Sequence, residues 1–151
     1  MALYDDVLDG ISDLKWRAKM VPQDVKFMKS HEWARVEEDT NIVTVGISDF
    51  AVEQLGDIVF IELPKIGKTV IQESPFGVIE SVKAAVDLYS PISGRVVQVN
   101  QTVSEQLDML AKDPYGQAWM IKIKVPNLTQ LDNLMSPADY EAFIKSPEGQ
   151  H

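Results

Sequence analysis

The stretch "FGVIESVKAAVDLYSPISG", Phe76 to Gly94, decides the fold. Two apolar, alternating segments flank Val82-Lys83-Ala84, the pattern of two antiparallel strands joined at a tip. Hairpin tips usually carry Asn-Gly or Asp-Gly, because those residues tolerate positive φ. This tip has neither. The turn must therefore be built from ordinary right-handed conformations, and it leaves Lys83 alone between the strands.

Outward from this hairpin, Phe27 to Val125 is a series of short runs rich in Val, Ile, Phe and Trp. They are "EWARVEE", "NIVTVGIS", "DIVFIELP", "PFGVIES", "AAVDLYS", "GRVVQVN" and "AWMIKIKV". Such runs predict strands. Gly46, Gly56, Pro64, Gly67, Pro91, Gly94, Pro114 and Gly116 punctuate them, so the connections are short and the sheets mainly antiparallel. A sandwich or flattened barrel follows. The segments "PKIGKTV" (Pro64 to Val70) and "PISGRVV" (Pro91 to Val97) share Pro-x-x-Gly-basic-x-Val on either side of Lys83. This echo suggests a quasi-two-fold β-structure with Lys83 close to its axis.

Helical signals lie at the ends and in two interruptions. Tyr4, Val7, Leu8, Ile11, Leu14 and Ala18 fall at helical spacing before Pro22, which predicts an amphipathic helix over residues 3 to 18. Its apolar stripe either packs on the domain or docks a partner. "SDFAVEQLG" can be capped by Ser48 or Asp49 and stopped by Gly56, and "SEQLDML" predicts a second helical turn. "SPADYEAFIK" places Ser136 at the N-cap and Pro137 at the first helical position, with Asp139 three residues after the cap. The organisation expected is a helical extension over 1–22 and one compact domain over 23–151.

Composition narrows the chemistry. The chain has 151 residues, 45% of them hydrophobic, enough for one core. With 14 Lys+Arg against 23 Asp+Glu, the net charge of −9 argues against nucleic acid, whose phosphates need clustered cations. No run approaches the roughly 20 apolar residues that span a bilayer. The N-terminus resembles neither a signal nor a transit peptide, so a soluble cytoplasmic protein without a membrane partner is expected. There are no cysteines, which removes disulfides and thiolate chemistry. His151 is terminal, and His31 has no cysteine or second ordered histidine with which to share a metal. With neither a nucleophile motif nor a phosphate-cradling loop, no self-contained catalytic site is expected. On residue chemistry alone, Lys83 reads either as an ordinary exposed lysine or as an amine that is acylated to become a long swinging arm.

A family resemblance chooses between these readings. "GVIESVKAAVDLYSPISG" resembles the lipoyl-attachment segment of the glycine cleavage system H proteins. The likeness continues through "SHEWARVE", "VTVGISDFAVEQLGDIVFIELP" and "DPYGQAWMIKIKV" to the C-terminal helices. It implies a mainly β barrel-sandwich hybrid, lipoyl-domain-like, here with an N-terminal helix and C-terminal helices. It also implies lipoate in amide linkage to Lys83, with Glu80, Ser81, Val82 and Ala84 framing the attachment site, and no enzymatic activity of the chain's own. The implied role is to shuttle an aminomethyl group from glycine decarboxylase to an aminomethyltransferase, with reoxidation by dihydrolipoyl dehydrogenase. A lipoate ligase or lipoyl transferase would load the arm. Ser30, Glu32 and Asp87 occupy positions that the family uses beside a cleft for the loaded arm. The bland alternative for these three is a strand-end hydroxyl and ordinary surface acids.

Two departures qualify the resemblance. Phe50 in "ISDF" stands where family members often carry a polar, aromatic or histidine residue, so any polar contact to the arm from there is lost. The segment before Pro22 is an addition to the family pattern. Similar H-like lipoate-binding proteins serve a sulfur-oxidation pathway built on a heterodisulfide-reductase-like complex, and some have extra N-terminal sequence. A carrier of sulfur intermediates is therefore the alternative function.

Overall fold

Residues 21–149 are described by the computed structural model. The helix expected over residues 3 to 18 lies outside the described residues, as does His151. Every run read above as a strand forms one. The strands are β1 (Lys26–Phe27), β2 (Glu32–Val36), β3 (Ile42–Ile47), β4 (Ile58–Glu62), β5 (Thr69–Val70), β6 (Pro75–Ser81), β7 (Ala85–Tyr89), β8 (Gly94–Val99) and β9 (Ile121–Lys124). At two residues each, β1 and β5 are too short for periodicity to reveal.

All the strand pairings are antiparallel. A six-stranded sheet has the order β1-β2-β3-β9-β8-β5, and a three-stranded sheet has the order β4-β6-β7. Inward-facing residues of both contribute to one core that includes Val43, Val45, Ile61, Ile79, Leu88 and Ile123. This is the barrel-sandwich arrangement, with the Lys83 hairpin forming most of the smaller sheet. Gly77 in β6 is required there, since a Cβ would come within 2.3 Å of the Glu62 carbonyl oxygen. A bulge between Ile58 and Phe60 in β4 leaves Val59 and Phe60 exposed.

The two copies of the Pro-x-x-Gly-basic-x-Val motif pair with each other. Thr69 stands opposite Arg95 and Val70 opposite Gly94. Gly67 N–H donates to Val96 O at 2.7 Å, and Val96 N–H donates to Lys68 O at 2.9 Å. The echo thus marks the β5–β8 edge of the large sheet, whereas Lys83 is carried by the other sheet.

The helices are α1 (Asp49–Leu55), α2 (Gln101–Glu105), α3 (Met109–Lys112) and α4 (Pro137–Lys145), with a 3₁₀ turn over Thr129–Asn133. Ser48 Oγ caps α1 by accepting from Ala51 N–H, and Gly56 ends the helix at φ 80°. Ser136 Oγ caps α4 by accepting from Asp139 N–H. The helix expected around "SEQLDML" is instead two short ones. Asn100 gives its side-chain amide hydrogens to the carbonyls of Gln117 and Trp119, so α2 starts without a side-chain cap and ends after about one turn.

A second apolar cluster joins α4 to the large sheet through Val21, Val25, Phe27, Trp33, Phe50, Tyr140 and Ile144. The Phe27 and Tyr140 rings stack at 4.0 Å, and the Tyr140 hydroxyl meets His31 Nδ1 at 2.8 Å and Ser48 Oγ at 2.6 Å. Val21 is buried in this cluster although it falls within the expected extension over 1–22.

Candidate functional site

The hairpin tip is closed without left-handed backbone. Among the described non-glycine residues, positive φ occurs at His31, Asp39 and Glu73, and at no residue of Val82-Lys83-Ala84. The buried Ser81 does the work that Asn-Gly does elsewhere. Its backbone N–H donates to Ala84 O at 2.7 Å, and its hydroxyl accepts Ala84 N–H at 3.1 Å. Val82 N–H donates to Asp57 O at 3.0 Å, which ties the tip to the start of β4. Val82, Lys83 and Ala84 are all exposed. Lys83 forms no ion pair among the described residues. Glu80 is half-buried on β6, opposite Ala85. A primary amine on a four-carbon stem is thus held out on a backbone anchored at two points.

Of Ser30, Glu32 and Asp87, Glu32 is buried and the other two are exposed. Glu32 is 1% exposed, which rules out an ordinary surface acid. Its Oε1 accepts from Ser30 Oγ at 2.5 Å, and its Oε2 accepts from Tyr89 N–H at 2.8 Å. Burial pushes the Glu32 carboxyl up to about 7, against the opposing pull of these hydrogen bonds. Asp87 is exposed on β7, opposite Val78. Alternation puts Asp87 and Tyr89 on the same face of the small sheet. Beyond Tyr89 a cavity of about 480 Å³ opens, lined by Ser30, Gln72 and Tyr89 together with Phe27, Leu134 and Met135.

Two contributions to this arrangement carry no side-chain signal. Tyr89 and Asp57 both act through the backbone, as donor to Glu32 and acceptor from Val82. Phe50, where family members often carry a polar, aromatic or histidine residue, is buried in the α4 cluster with its ring centroid 5.3 Å from that of His31.

Two antiparallel sheets with a lysine exposed at the tip of an anchored hairpin are the arrangement expected of a lipoyl-domain-like carrier. Residues 25–147 match the family model described as glycine cleavage H-protein. The chain is 51% identical over 131 residues to the glycine cleavage system H protein of Carboxydothermus hydrogenoformans, covering 87% of this chain and 98% of that protein. With the H protein of Symbiobacterium thermophilum it shares 50% identity over 125 residues, 83% and 96% of the two chains. The crystal structure of a glycine cleavage system H protein from Mycobacterium marinum superposes with a TM-score of 0.75 at 32% identity, covering 83% of this chain and all of that one. The chain belongs to the glycine cleavage H-protein family.

Proposed function

We propose that this chain is the lipoyl carrier of a glycine cleavage system, with lipoate in amide linkage to Lys83. The observation that carries the proposal is the exposed Lys83 on an anchored tip, without an ion pair among the described residues, in a chain of this family. The residues present fit the group: acylation needs an accessible amine, and the tip offers one with no competing partner among the described residues. Lipoate, when bound, would supply a disulfide that opens as it takes up a one-carbon aminomethyl cargo and is left as a dithiol once that cargo is released.

The chain's own residues supply position. Ser81 and Asp57 hold the tip in one geometry, so a lipoate ligase or lipoyl transferase meets a defined backbone around the amine, framed by Glu80, Val82 and Ala84. The same exposure lets the decarboxylase, the aminomethyltransferase and dihydrolipoyl dehydrogenase reach the arm in turn. An arm of single bonds of about 1.5 Å runs on the order of 14 Å from Cα to ring. Strand β7 rises about 3.3 Å per residue, so Asp87 lies ~7 Å and Tyr89 ~13 Å past Ala85, where the strand leaves the tip. Asp87, the carboxylate of β7, is therefore within reach of a protonated amine cargo on the arm. Glu32, with one oxygen engaged by Ser30 and the other by Tyr89, ties together two residues that line the cavity.

The test is glycine-dependent exchange of labelled bicarbonate by the cognate decarboxylase in the presence of the lipoylated protein. Exchange is expected with wild type and none with Lys83→Arg. No exchange from a protein whose mass carries the lipoyl increment would overturn the glycine reading. Sulfur adducts on the arm after incubation with thiosulfate would then favour the sulfur carrier.

A further inference from the structure

The β5 edge of the large sheet gathers four cations and two exposed isoleucines. Lys65 and Lys68 stand exposed in the turn that leads into β5, which Lys68 N–H closes by donating to Lys65 O at 3.2 Å. The Arg95 guanidinium lies against this turn, since a Cβ built on Gly67 would find Arg95 Nη2 at 4.0 Å. Register extends the row inward. Thr69 of β5 stands opposite Arg95 of β8, and Arg95 stands opposite Lys124 of β9, all three exposed. Alternation puts Ile71 on the face of Thr69 and the buried Val70 on the other. Ile71 is 60% exposed, and Ile66, within the turn, is 67% exposed. None of the four cations forms an ion pair among the described residues.

Lysines beside an edge strand discourage pairing with another chain, which accounts for Lys65 and Lys68. It does not account for Arg95 and Lys124, which lie on interior strands of the sheet. Like charges directly opposite each other on neighbouring strands are destabilising, and a chain with 23 Asp+Glu has carboxylates enough to avoid such a pair. An external carboxylate would relieve it. We infer that this face docks an acidic protein surface, carboxylates set around an apolar centre, on an enzyme that works on the Lys83 arm. The inference rests on the carrier reading. The isoleucines select a protein over a nucleic acid or a free phosphate, because burying them contributes only where the partner is itself apolar. The cations orient the approach and speed the encounter. Lys83 is carried by the other sheet, so an enzyme held here need not grip the tip, and docking raises the local concentration of the arm.

The KM for the lipoylated protein, measured with the cognate decarboxylase, aminomethyltransferase and dihydrolipoyl dehydrogenase at low and high salt, tests this. Lys65→Glu combined with Lys68→Glu, both at exposed positions, should raise KM severalfold with at least one of the three at low salt and leave kcat unchanged. High salt should bring the wild-type KM up toward that of the variant. Arg95→Glu, placed opposite Lys124, should raise KM in the same assay yet also raise the melting temperature, a combination that damage to the fold would not give. Unchanged KM with all three enzymes, or an Arg95→Glu protein that melts no higher than wild type, would overturn the docking face while leaving the lipoyl assignment standing. A wild-type dimer in sedimentation velocity that salt or the double variant dissociates would overturn it in favour of a second copy of this chain. Absence of glycine-dependent exchange from lipoylated wild type would overturn the carrier reading and this inference with it.

Discussion

The Glu32 carboxylate accepts the backbone N–H of Tyr89 at 2.8 Å, joining β2 of the large sheet to the lysine hairpin of the small one across 57 positions of sequence. The contact combines a buried acid with a backbone donor that β6 leaves free. Its cost is the desolvation that raises Glu32 to about 7.

That shift sets a pH dependence of stability. The folded protein binds the Glu32 proton more tightly than the unfolded chain, whose value lies near 4.5. Between pH 4.5 and 7 the folded state therefore holds the extra proton, and stability falls as pH rises. At about 1.4 kcal/mol per unit, the full effect is about 3.5 kcal/mol at most. Urea unfolding at pH 5 and pH 8 should show a loss in wild type that Glu32→Gln largely removes. The same pH difference in both proteins would refute the assignment to Glu32.

Lys83→Arg should leave the fold intact and abolish lipoylation. The tip is exposed, so stability should move by about 0.5 kcal/mol or less. A guanidinium cannot replace the amine that is acylated. Thermal unfolding and intact mass after incubation with a lipoate ligase check the two halves. A lipoyl increment on the variant would move the attachment away from Lys83.

Ser81→Ala should cost about 1 kcal/mol, the net value of the hydrogen bond its hydroxyl makes with Ala84 N–H. It should also slow lipoylation severalfold, because the lysine would sit on a looser tip. Hydrogen exchange at the Ala84 amide reads this directly. Unchanged protection there would show that the hydroxyl does not close the turn.

Deletion of residues 1–22 should destabilise the protein more than deletion of 1–20. The difference is the side chain of Val21, buried against Phe27 and Tyr140 in the second cluster, and should be about 1.5 to 3 kcal/mol. Both truncations should still accept lipoate, since the hairpin and its anchors follow Pro22. Equal stabilities would place Val21 outside the cooperative unit.

The strands, the cap at Ser136, a cap at Ser48 or Asp49, and the glycine-free hairpin tip with its lone lysine could be read in advance. Each is a local property, written in side-chain alternation or in residues three or four apart. The resemblance then supplied a chemistry for Lys83 that periodicity could not. The two-residue strands, the split of the helix after Asn100 and the burial of Val21 escaped because each depends on a partner distant in sequence. Glu32 shows the division most clearly. As a letter in "SHEW" it looks like any surface acid, and its position in the motif marks only a place beside a cleft. The approach of β7 over β2 buries it, gives it Tyr89 N–H as a partner and raises its affinity for a proton. Which lysine stands exposed at the hairpin tip was legible in the sequence, because that exposure is local. Which surfaces flank the tip, and how tightly Glu32 holds its proton, follows only from the tertiary packing, because desolvation depends on everything packed around a group.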